Sequence, residues 1–202
     1  MTVQLQMSFL QTEGLSIISG VTYIPEYISA QQEESLLLAI DNQPWLTDLK
    51  RLVQHYGYRY DYKARIADSK LYLGELPGWL KPHCEQLYSK QLFPQIPDQV
   101  IVNEYQPGQG ISAHIDCIQC FAETIASLSL GSSCVMDFIH TETQQKISLL
   151  LEPRSLIILS GEARYNWKHA IVARKTDAYD GQSLTRGRRV SLTFRNMILS
   201  KP

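Results

Sequence analysis

The chain has 202 residues, of which 44% are apolar and 19% charged, a composition typical of a globular protein with one buried core. Its formal net charge of −1 argues against indiscriminate binding to polyanions. No apolar run of about 18 residues is present, and the N-terminus lacks the basic and then apolar plan of a secretory signal, so the sequence predicts no membrane contact.

Charge is nevertheless distributed unevenly. From Arg154 to the end there are 10 Lys or Arg and 3 Asp or Glu, and between Lys50 and Arg65 five basic residues accompany a single acid, Asp61. Such basic segments on a near-neutral chain are typical of a face that binds a polyanion. A solvated surface that pairs with the more acidic first half explains the same charges equally well.

Two helices are predicted in the first half. Ser29 is followed by Gln32 at the third helical position, which is the capping-box arrangement, and an apolar stripe comes next. The second helix is predicted to begin near Trp79 and to end before Phe93, with apolar residues at helical spacing between them.

The second half has the pattern of a β-rich domain. Short apolar or alternating runs, separated by turn residues, predict eight strands, at residues 100–105, 111–116, 124–130, 134–138, 146–151, 155–160, 169–173 and 189–197. Eight short strands in about a hundred residues predict a β-sandwich or jelly roll. The mouth of such a barrel is a common place for a metal or small-molecule site.

A metal site is predicted on these strands. Residues two apart on a strand share a face, so His114 and Asp116 should point together into the barrel. His169 on a later strand supplies a third ligand, and His140 is the rival for that position, although it follows a strand and leads into a polar loop. Two histidines and one carboxylate that leave open positions are the triad of non-haem iron oxygenases.

An anion site is predicted on the last strand. Arg189, Ser191, Thr193 and Arg195 alternate with apolar residues and therefore share one face. On an outer strand this polar face would lie in water. Inside a barrel the two guanidinium groups need anionic partners, which a dicarboxylate supplies.

Two polar residues of an earlier strand are candidates to bind the same ligand. Asn103 and Tyr105 lie two residues apart, just before the turn that leads to His114. Both side chains can hydrogen-bond a bound carboxylate.

A tyrosine-rich basic segment is the candidate for recognition of a larger substrate. Tyr56, Tyr58, Tyr60 and Tyr62 alternate there, among the cations Lys50, Arg51, Arg59, Lys63 and Arg65. Aromatic faces stack on bases and cations contact phosphates, so the segment predicts a nucleic-acid contact through Arg51, Tyr56, Tyr58, Arg59 and Tyr60. A tyrosine-faced strand packed on the first helix is the alternative interpretation.

The cysteines receive no functional role. A chain of this size needs no disulfides, and a reducing, cytoplasmic setting with a monomeric protein is expected. Cys117 and Cys120 lack a second pair at a spacing suitable for zinc, so we expect them to contribute to packing.

Taken in order, these motifs resemble the AlkB family of iron(II)/2-oxoglutarate dioxygenases. The order is Asn103-x-Tyr105, Pro107-Gly108, His114-x-Asp116, His169 and Arg189-(x)5-Arg195. Further stretches are similar to the member of that family that hydroxylates a tRNA wobble uridine in animals: Gln54-His55-Tyr56-Gly57-Tyr58, Ser127-Leu128-Ser129-Leu130-Gly131, Val135-Met136-Asp137-Phe138 and Gly161-Glu162-Ala163-Arg164-Tyr165.

The resemblance implies a fold and a ligand set. It implies that His114, Asp116 and His169 bind Fe(II), that Asn103, Tyr105, Arg189 and Arg195 hold 2-oxoglutarate, and that dioxygen is the second cosubstrate. The implied fold is mainly β (α+β), a single domain over residues 1–202. Its jelly-roll core, a double-stranded β-helix, covers 100–197, and residues 15–99 form helices packed on one sheet and a nucleotide-recognition lid.

Two departures from the family pattern bear on the substrate. Repair members usually place an acid two residues after the metal aspartate, where this chain has Ile118, and an asparagine often stands where this chain has Ser191. The first weakens an assignment to methyladenine repair. The second removes one amide contact and leaves both arginines in place.

The expected function is oxidation of an alkylated or modified base in DNA, RNA or tRNA, taken single-stranded or flipped from a duplex. Demethylation and stable hydroxylation of a tRNA modification both fit, and Ile118 favours the second. An oxygenase acting on a protein side chain or a small molecule leaves the basic, tyrosine-rich segment without a purpose. A binding module without chemistry leaves the ligand set unexplained.

Overall fold

The computed structural model describes residues 9–47, 49–60 and 69–199. Within these ranges the helices are α1 Phe9–Ile17, α2 Ala30–Asp41, α3 Lys81–Ser89 and α4 Gly161–Tyr165, and a 3₁₀ turn covers Ser69–Leu71. The strands are β1 Val21–Ile24, β2 Leu52–Tyr56, β3 Gln99–Tyr105, β4 Ile111–His114, β5 Ile125–Gly131, β6 Cys134–His140, β7 Lys146–Leu151, β8 Leu156–Leu159, β9 Trp167–Ile171, β10 Thr176–Tyr179, β11 Gln182–Thr185 and β12 Arg189–Arg195. None of the described helices is long and apolar enough to cross a membrane.

Two antiparallel sheets form the body of the fold. The larger has the strand order β1-β8-β5-β12-β3-β2 and the smaller β4-β9-β6-β7, while β10 and β11 form a separate hairpin. Strands distant in sequence are neighbours in both sheets, which is how a jelly roll brings residues of several segments to one interior. The predicted fold class, a mainly β jelly roll with N-terminal helices, is confirmed.

The two faces of the larger sheet differ as the alternation in β12 predicts. Val190, Leu192 and Phe194 belong to an apolar cluster that includes buried residues of α2 and α3. The intervening residues, from Arg189 to Arg195, instead line a cavity on the opposite face. The prediction that the polar face of this strand lies inside is therefore confirmed, and so is the packing of the two predicted helices, α2 and α3, on one sheet. Helix α1, which was not predicted, contacts β7 of the smaller sheet instead.

The start of α2 follows the predicted capping box. Ser29 accepts a hydrogen bond from the backbone N–H of Gln32, whose side chain accepts one from the N–H of Ser29. The second predicted helix is α3, with buried Cys84 and Leu87 on the sheet side. The capping box satisfies the first turn of α2, and buried residues of both helices pack on the outer face of the larger sheet.

All eight predicted strands are present, and some of their ends differ from the prediction. The strand predicted at 111–116 ends at His114, so Asp116 lies beyond it. Four strands were not predicted: β1 and β2 add edges to the larger sheet from the region assigned to helices and lid, and β10 and β11 pair with each other. The β10–β11 hairpin has a visible signal, because Asp180-Gly181 is a two-residue turn with positive φ at both positions.

Candidate metal centre and cosubstrate pocket

A cavity of about 540 Å³ lies between the inner faces of the two sheets. Strands β3 and β12 of the larger sheet supply one wall, and β4 and β9 of the smaller sheet supply another. All seven residues predicted to bind iron or 2-oxoglutarate line it: Asn103, Tyr105, His114, Asp116, His169, Arg189 and Arg195. The topology thus brings together side chains that are up to 92 positions apart in the chain.

Three of these residues form a candidate metal site. One nitrogen or oxygen atom from each of His114, Asp116 and His169 lies within 4.8 Å of the other two. The two histidines are opposite one another in the β4–β9 pairing, and their ring centroids are 4.4 Å apart. Within the described parts of the chain, this is the one cluster of three His, Cys, Asp or Glu side chains close enough to share an ion.

The surroundings of the histidines suit metal binding, which requires neutral imidazole. The Nδ1 atom of His114 lies 2.8 Å from the carbonyl oxygen of Ser112. With its proton on Nδ1, His114 donates to that carbonyl and keeps the Nε2 lone pair for a metal. Burial, together with the charge of neighbouring groups, lowers the pKa of His169 to about 3, so its ring is neutral over the ordinary pH range.

Asp116 is held ionised although it is buried. Burial alone would raise the pKa of its carboxyl, but the neighbouring Arg195 guanidinium is the main group that outweighs this effect and holds the pKa well below its usual range. Nε and Nη2 of Arg195 lie 3.2 and 3.1 Å from Oδ2 of Asp116. Two imidazoles with one carboxylate fit a divalent iron ion that keeps positions open for other ligands.

The other histidines lie outside this site. Nδ1 of His140 accepts hydrogen bonds from the backbone N–H groups of Glu142 and Thr143, and its ring contacts Trp167. This geometry agrees with the prediction that the third ligand is His169 and not His140.

The deep end of the cavity fits a dicarboxylate. Arg189 is buried, with one guanidinium nitrogen, Nη2, donating to Ser129 Oγ over 2.9 Å. Its Nε has no hydrogen-bond partner among the described residues. No carboxylate of the described residues forms an ion pair with the Arg189 guanidinium. A buried cationic donor without a partner is costly, so the site calls for an anionic ligand such as a carboxylate of 2-oxoglutarate.

The other three predicted cosubstrate residues are more occupied than expected. Arg195 is already paired with Asp116, and the amide oxygen of Asn103 accepts a hydrogen bond of 2.7 Å from Nε of Arg51. The guanidinium carbon of Arg189 lies 5.6 Å from the ring centroid of Tyr105. Their contacts with 2-oxoglutarate stay predictions.

The predicted substrate residues separate into two groups. Arg51 and Tyr60 line the cavity together with exposed Lys50, and these three residues are termed its mouth. Tyr56 instead donates to Gln54 and packs edge-on against Trp79 on the helix side of the sheet, where burial raises its pKa to about 12. Tyr56 therefore faces the helices, as the alternative interpretation predicts, but its ring contacts Trp79 just before the second predicted helix and not the first helix.

Tyr58 and Arg59 also lie away from the cavity lining. Tyr58 contacts Tyr72, at 5.1 Å between ring centroids, in a separate depression, and the backbone N–H of Arg59 bonds Leu71. The physical reason is Gly57, whose φ of +75° ends β2, and a Cβ there would lie 1.9 Å from the carbonyl oxygen of Asp98. The expected alternation of tyrosines stops at this turn. Tyr62, Lys63 and Arg65 lie outside the described residues.

The expectation that the cysteines stay unpaired is wrong for two of them. Cys117 and Cys120 form a disulfide, with their Cα atoms 5.2 Å apart, in the loop that follows Asp116. Their closeness in sequence was visible, but a Cys-x-x-Cys pair alone does not distinguish packing from pairing. Cys84 and Cys134 are buried and free.

Two contributors to the site were not predicted. Arg164 donates to the backbone carbonyl of Asp116, and Ser129 accepts from Arg189. Both belong to stretches that carry the family resemblance, yet neither stretch has a local pattern that identifies its partner.

Fold and site together define an iron(II)- and 2-oxoglutarate-dependent oxygenase. A sequence model of the 2OG-Fe(II) oxygenase superfamily matches residues 42–195. The bovine protein named alpha-ketoglutarate-dependent dioxygenase alkB homolog 7, mitochondrial, is 40% identical, and the match covers 95% of this chain and 87% of that protein. The chain belongs to the AlkB family of these oxygenases.

Other relatives are longer than this chain. An Arabidopsis thaliana protein named alkylated DNA repair protein ALKBH8 homolog is 38% identical over 89% of this chain, which spans 59% of that relative. The mouse protein named tRNA (carboxymethyluridine(34)-5-O)-methyltransferase ALKBH8 is 36% identical over 90% of this chain and 28% of its own length. Among solved structures, OsALKBH1 superimposes with a TM-score of 0.60 at 17% identity, covering 88% of this chain and 96% of that one, which supports the fold.

Proposed function

We propose that this oxygenase oxidises a modified base in nucleic acid, with Fe(II) held by His114, Asp116 and His169. The observation that carries the proposal is the layout of one cavity. A two-histidine, one-carboxylate cluster and a buried guanidinium without an ion-pair partner among the described residues line the same cavity as Lys50, Arg51 and Tyr60.

The residues that line the cavity have separate roles. Arg189 binds the distal carboxylate of 2-oxoglutarate, where a planar guanidinium fork matches a carboxylate better than an ammonium does. Arg195 keeps Asp116 charged and aimed at the metal. When bound, iron with 2-oxoglutarate and dioxygen supplies the oxidation of a substrate C–H bond, with succinate and carbon dioxide as coproducts.

The substrate enters from the mouth formed by Lys50, Arg51 and Tyr60. Tyr60 packs against Phe121, with ring centroids 5.3 Å apart, so its ring is held at the rim. The backbone carbonyl of Lys50 accepts a hydrogen bond of 2.6 Å from Gln109, which anchors the cationic segment to the turn before β4. Cations and an aromatic ring that line one cavity suit a flipped nucleotide, whose phosphate and base need these two contacts.

The relatives' names support a nucleic-acid substrate. One names repair of alkylated DNA and another names a modified uridine of tRNA. The mouse name also describes methyl transfer, an activity that is not proposed for this chain, which covers only 28% of that protein.

Charge within the cavity favours hydroxylation of an uncharged base, such as a tRNA modification, over repair of a cationic one. Adenine methylated at N1 and cytosine methylated at N3 are cations and are best recognised by an acid. Among the described residues that line the cavity, the carboxylate is Asp116 alone, and it is occupied by Arg195. Ile118, at the position where an acid would serve a repair enzyme, is 51% exposed and apolar.

The test is the mass of the product. Purified chain, Fe(II), ascorbate and 2-oxoglutarate are incubated with bulk tRNA or with methylated DNA and RNA oligonucleotides, and nucleosides are analysed by mass spectrometry. We expect succinate release with tRNA and a nucleoside that gains one oxygen, and no reaction with the His169→Ala variant. Loss of one methylene from an oligonucleotide would show demethylation instead. Stimulation by neither substrate would contradict the proposal and favour a protein or small-molecule target.

A further inference from the structure

The metal aspartate lies in a loop and not on a strand. Strand β4 ends at His114, and β5 begins only at Ile125. The alternation of a strand therefore cannot position Asp116 relative to His169. Some other contact must hold the loop, because ligand atoms at a metal need to be fixed within a few tenths of an ångström.

One side chain, Arg164 of α4, forms hydrogen bonds with the backbone of this loop at several positions. The guanidinium is buried, at 2% exposed, and all four of its hydrogen bonds go to backbone carbonyl oxygens of the loop. The acceptors are Asp116 at 2.9 Å from Nη1, Cys117 and Phe121 each at 3.3 Å from Nη2, and Ala122 at 3.4 Å from Nε.

The same arginine is fixed to the segment that carries the other metal ligand. Helix α4 leads within two residues into β9, on which His169 lies five positions after Arg164. The start of α4 is tied down in turn, because the backbone N–H of Ala163 bonds the carbonyl of Ser19. One rigid side chain thus joins the loop of Asp116 to the strand of His169.

An arginine at position 164 indicates a requirement beyond packing. Burying a guanidinium is expensive, and within the described residues no carboxylate pairs with Arg164. A neutral apolar residue would fill the space at lower cost if packing were the only requirement. The planar group with donors in three directions is what can bond four carbonyls spread from Asp116 to Ala122.

We infer that Arg164 is a positioning residue for the metal site, which sets the place of Asp116 relative to His169 through the backbone of residues 116–122. The inference rests on the proposed metal ligands. It adds a residue that touches neither the metal nor 2-oxoglutarate and acts through the main chain. The disulfide Cys117–Cys120 restrains the same loop and Arg195 holds the Asp116 carboxylate, whereas Arg164 connects the loop backbone to the segment that carries His169.

The experiment measures binding of Co(II) and Mn(II) to the full chain, by visible absorption for Co(II) and by calorimetry for both ions, without any turnover. We compare wild type with Arg164→Lys and Arg164→Met. Loss of such supporting contacts typically costs about 10- to 100-fold in metal affinity. We expect the larger loss in Arg164→Met, and a smaller loss in Arg164→Lys, whose ammonium reaches only some of the carbonyls.

A matched control separates positioning from general stability. Gln54 is also buried and donates from its side chain to two backbone carbonyls, those of Ile40 and Gln43, on the far side of the sheet. Gln54→Met should lower the melting temperature and leave the Co(II) affinity and spectrum of the folded protein unchanged. If Arg164→Met does not fold, Arg164→Lys serves alone, together with hydrogen exchange of the amides at 117–122, which should be faster than in wild type.

The outcomes distinguish failure of the inference about Arg164 from failure of the metal assignment. Wild-type Co(II) binding with unchanged affinity and spectrum in the folded Arg164 variants overturns this inference and leaves the metal site intact. An absence of Co(II) binding by wild type overturns the metal assignment, and this inference with it. A loss of affinity confined to the Arg164 variants supports both.

Discussion

The two ends of the cavity differ in how their side chains are held. The inner end is built on β12, β3 and β9, whose neighbours on both sides fix the direction of every side chain. The mouth is formed by Lys50, Arg51 and Tyr60, which flank β2, and the chain turns at Gly57 directly after this strand. Paired strands thus direct His169, Arg189 and Arg195 into the cavity, while the residues of the mouth lie outside the strands.

Electrostatics follows the same division. Arg189 and Asp116 are buried, so their interactions are weakly screened and an unmatched charge is costly. Cations at an open mouth are screened by salt and contribute less individually. Changes at the inner end should therefore have large effects, and changes at the mouth small, salt-dependent ones.

The largest effect is expected at the metal site. His169→Ala removes one of three ligands, and we expect 2-oxoglutarate turnover to fall by about 100-fold or more, in line with loss of a catalytic group. Succinate release measures this. His140→Ala, a histidine outside the cavity, is the control and should retain activity; equal loss in both would place the metal elsewhere.

A somewhat smaller effect is expected at the anion site. Arg189→Lys keeps the charge but loses the fork, and we expect the Kd for 2-oxoglutarate to rise about 10- to 100-fold, or roughly 1.4–2.8 kcal/mol. Calorimetry with Mn(II) in place of iron measures it.

Arg195→Lys sharpens the comparison between the two arginines. Because Arg195 pairs with Asp116, this variant should weaken binding of the metal as well as of 2-oxoglutarate, whereas Arg189→Lys should leave metal affinity unchanged. Arg154→Lys, which affects pairs with Glu26 and Glu33, is the neutral control. Identical profiles for the two cavity arginines would contradict their separate roles.

The mouth should respond more weakly and in a salt-dependent way. Lys50→Ala and Arg51→Ala should each weaken tRNA binding by about 3- to 10-fold at low salt, and each should reduce the salt slope by about one. Tyr58→Phe, away from the cavity, should have no effect. Filter binding between about 50 and about 200 mM salt tests this, and slopes unaltered in both cation variants would remove these residues from the interface.

The smallest effect concerns pH. Because the pKa of folded His169 is lowered to about 3 from an ordinary 6.5, the unfolded chain binds more protons between these values, so stability rises with pH across that window. Burial also lowers the pKa of His83, which adds to the same dependence of stability on pH. The metal-free protein should melt a few degrees lower at about pH 5 than at about pH 7.5.

The variant that tests this is His169→Gln, which lacks the titrating ring. Its melting temperature should depend less on pH than that of wild type, while His140→Gln keeps the wild-type dependence. Scanning calorimetry of the chelator-treated protein gives the comparison, and parallel curves for wild type and His169→Gln would be inconsistent with the lowered pKa.

Sequence patterns predict best where neighbouring strands enforce them. The alternation in β12 correctly placed Arg189 and Arg195 inside, because a strand between two partners cannot rotate. The same argument failed for Asp116, which lies past the end of its strand and reaches the site through a loop. Its partner Arg164 is 48 positions away in the chain, and no local spacing relates the two.

Two further failures have local causes. The tyrosines from 56 to 60 alternate in sequence, but a close approach of the Gly57 backbone to Asp98 turns the chain. The pairing of Cys117 with Cys120 depends on the loop geometry around Asp116, which the sequence does not specify. Local sequence patterns do not predict features that depend on contacts between distant segments.

The central claim is that His114, Asp116 and His169 bind one metal beside a dicarboxylate held by Arg189. The most direct measurement is anaerobic titration of the chain with Fe(II) and 2-oxoglutarate, followed by visible absorption. We predict a weak charge-transfer band that saturates at one equivalent of each in wild type and is missing from His114→Ala. No band in wild type, or the same band in both proteins, would contradict the claim.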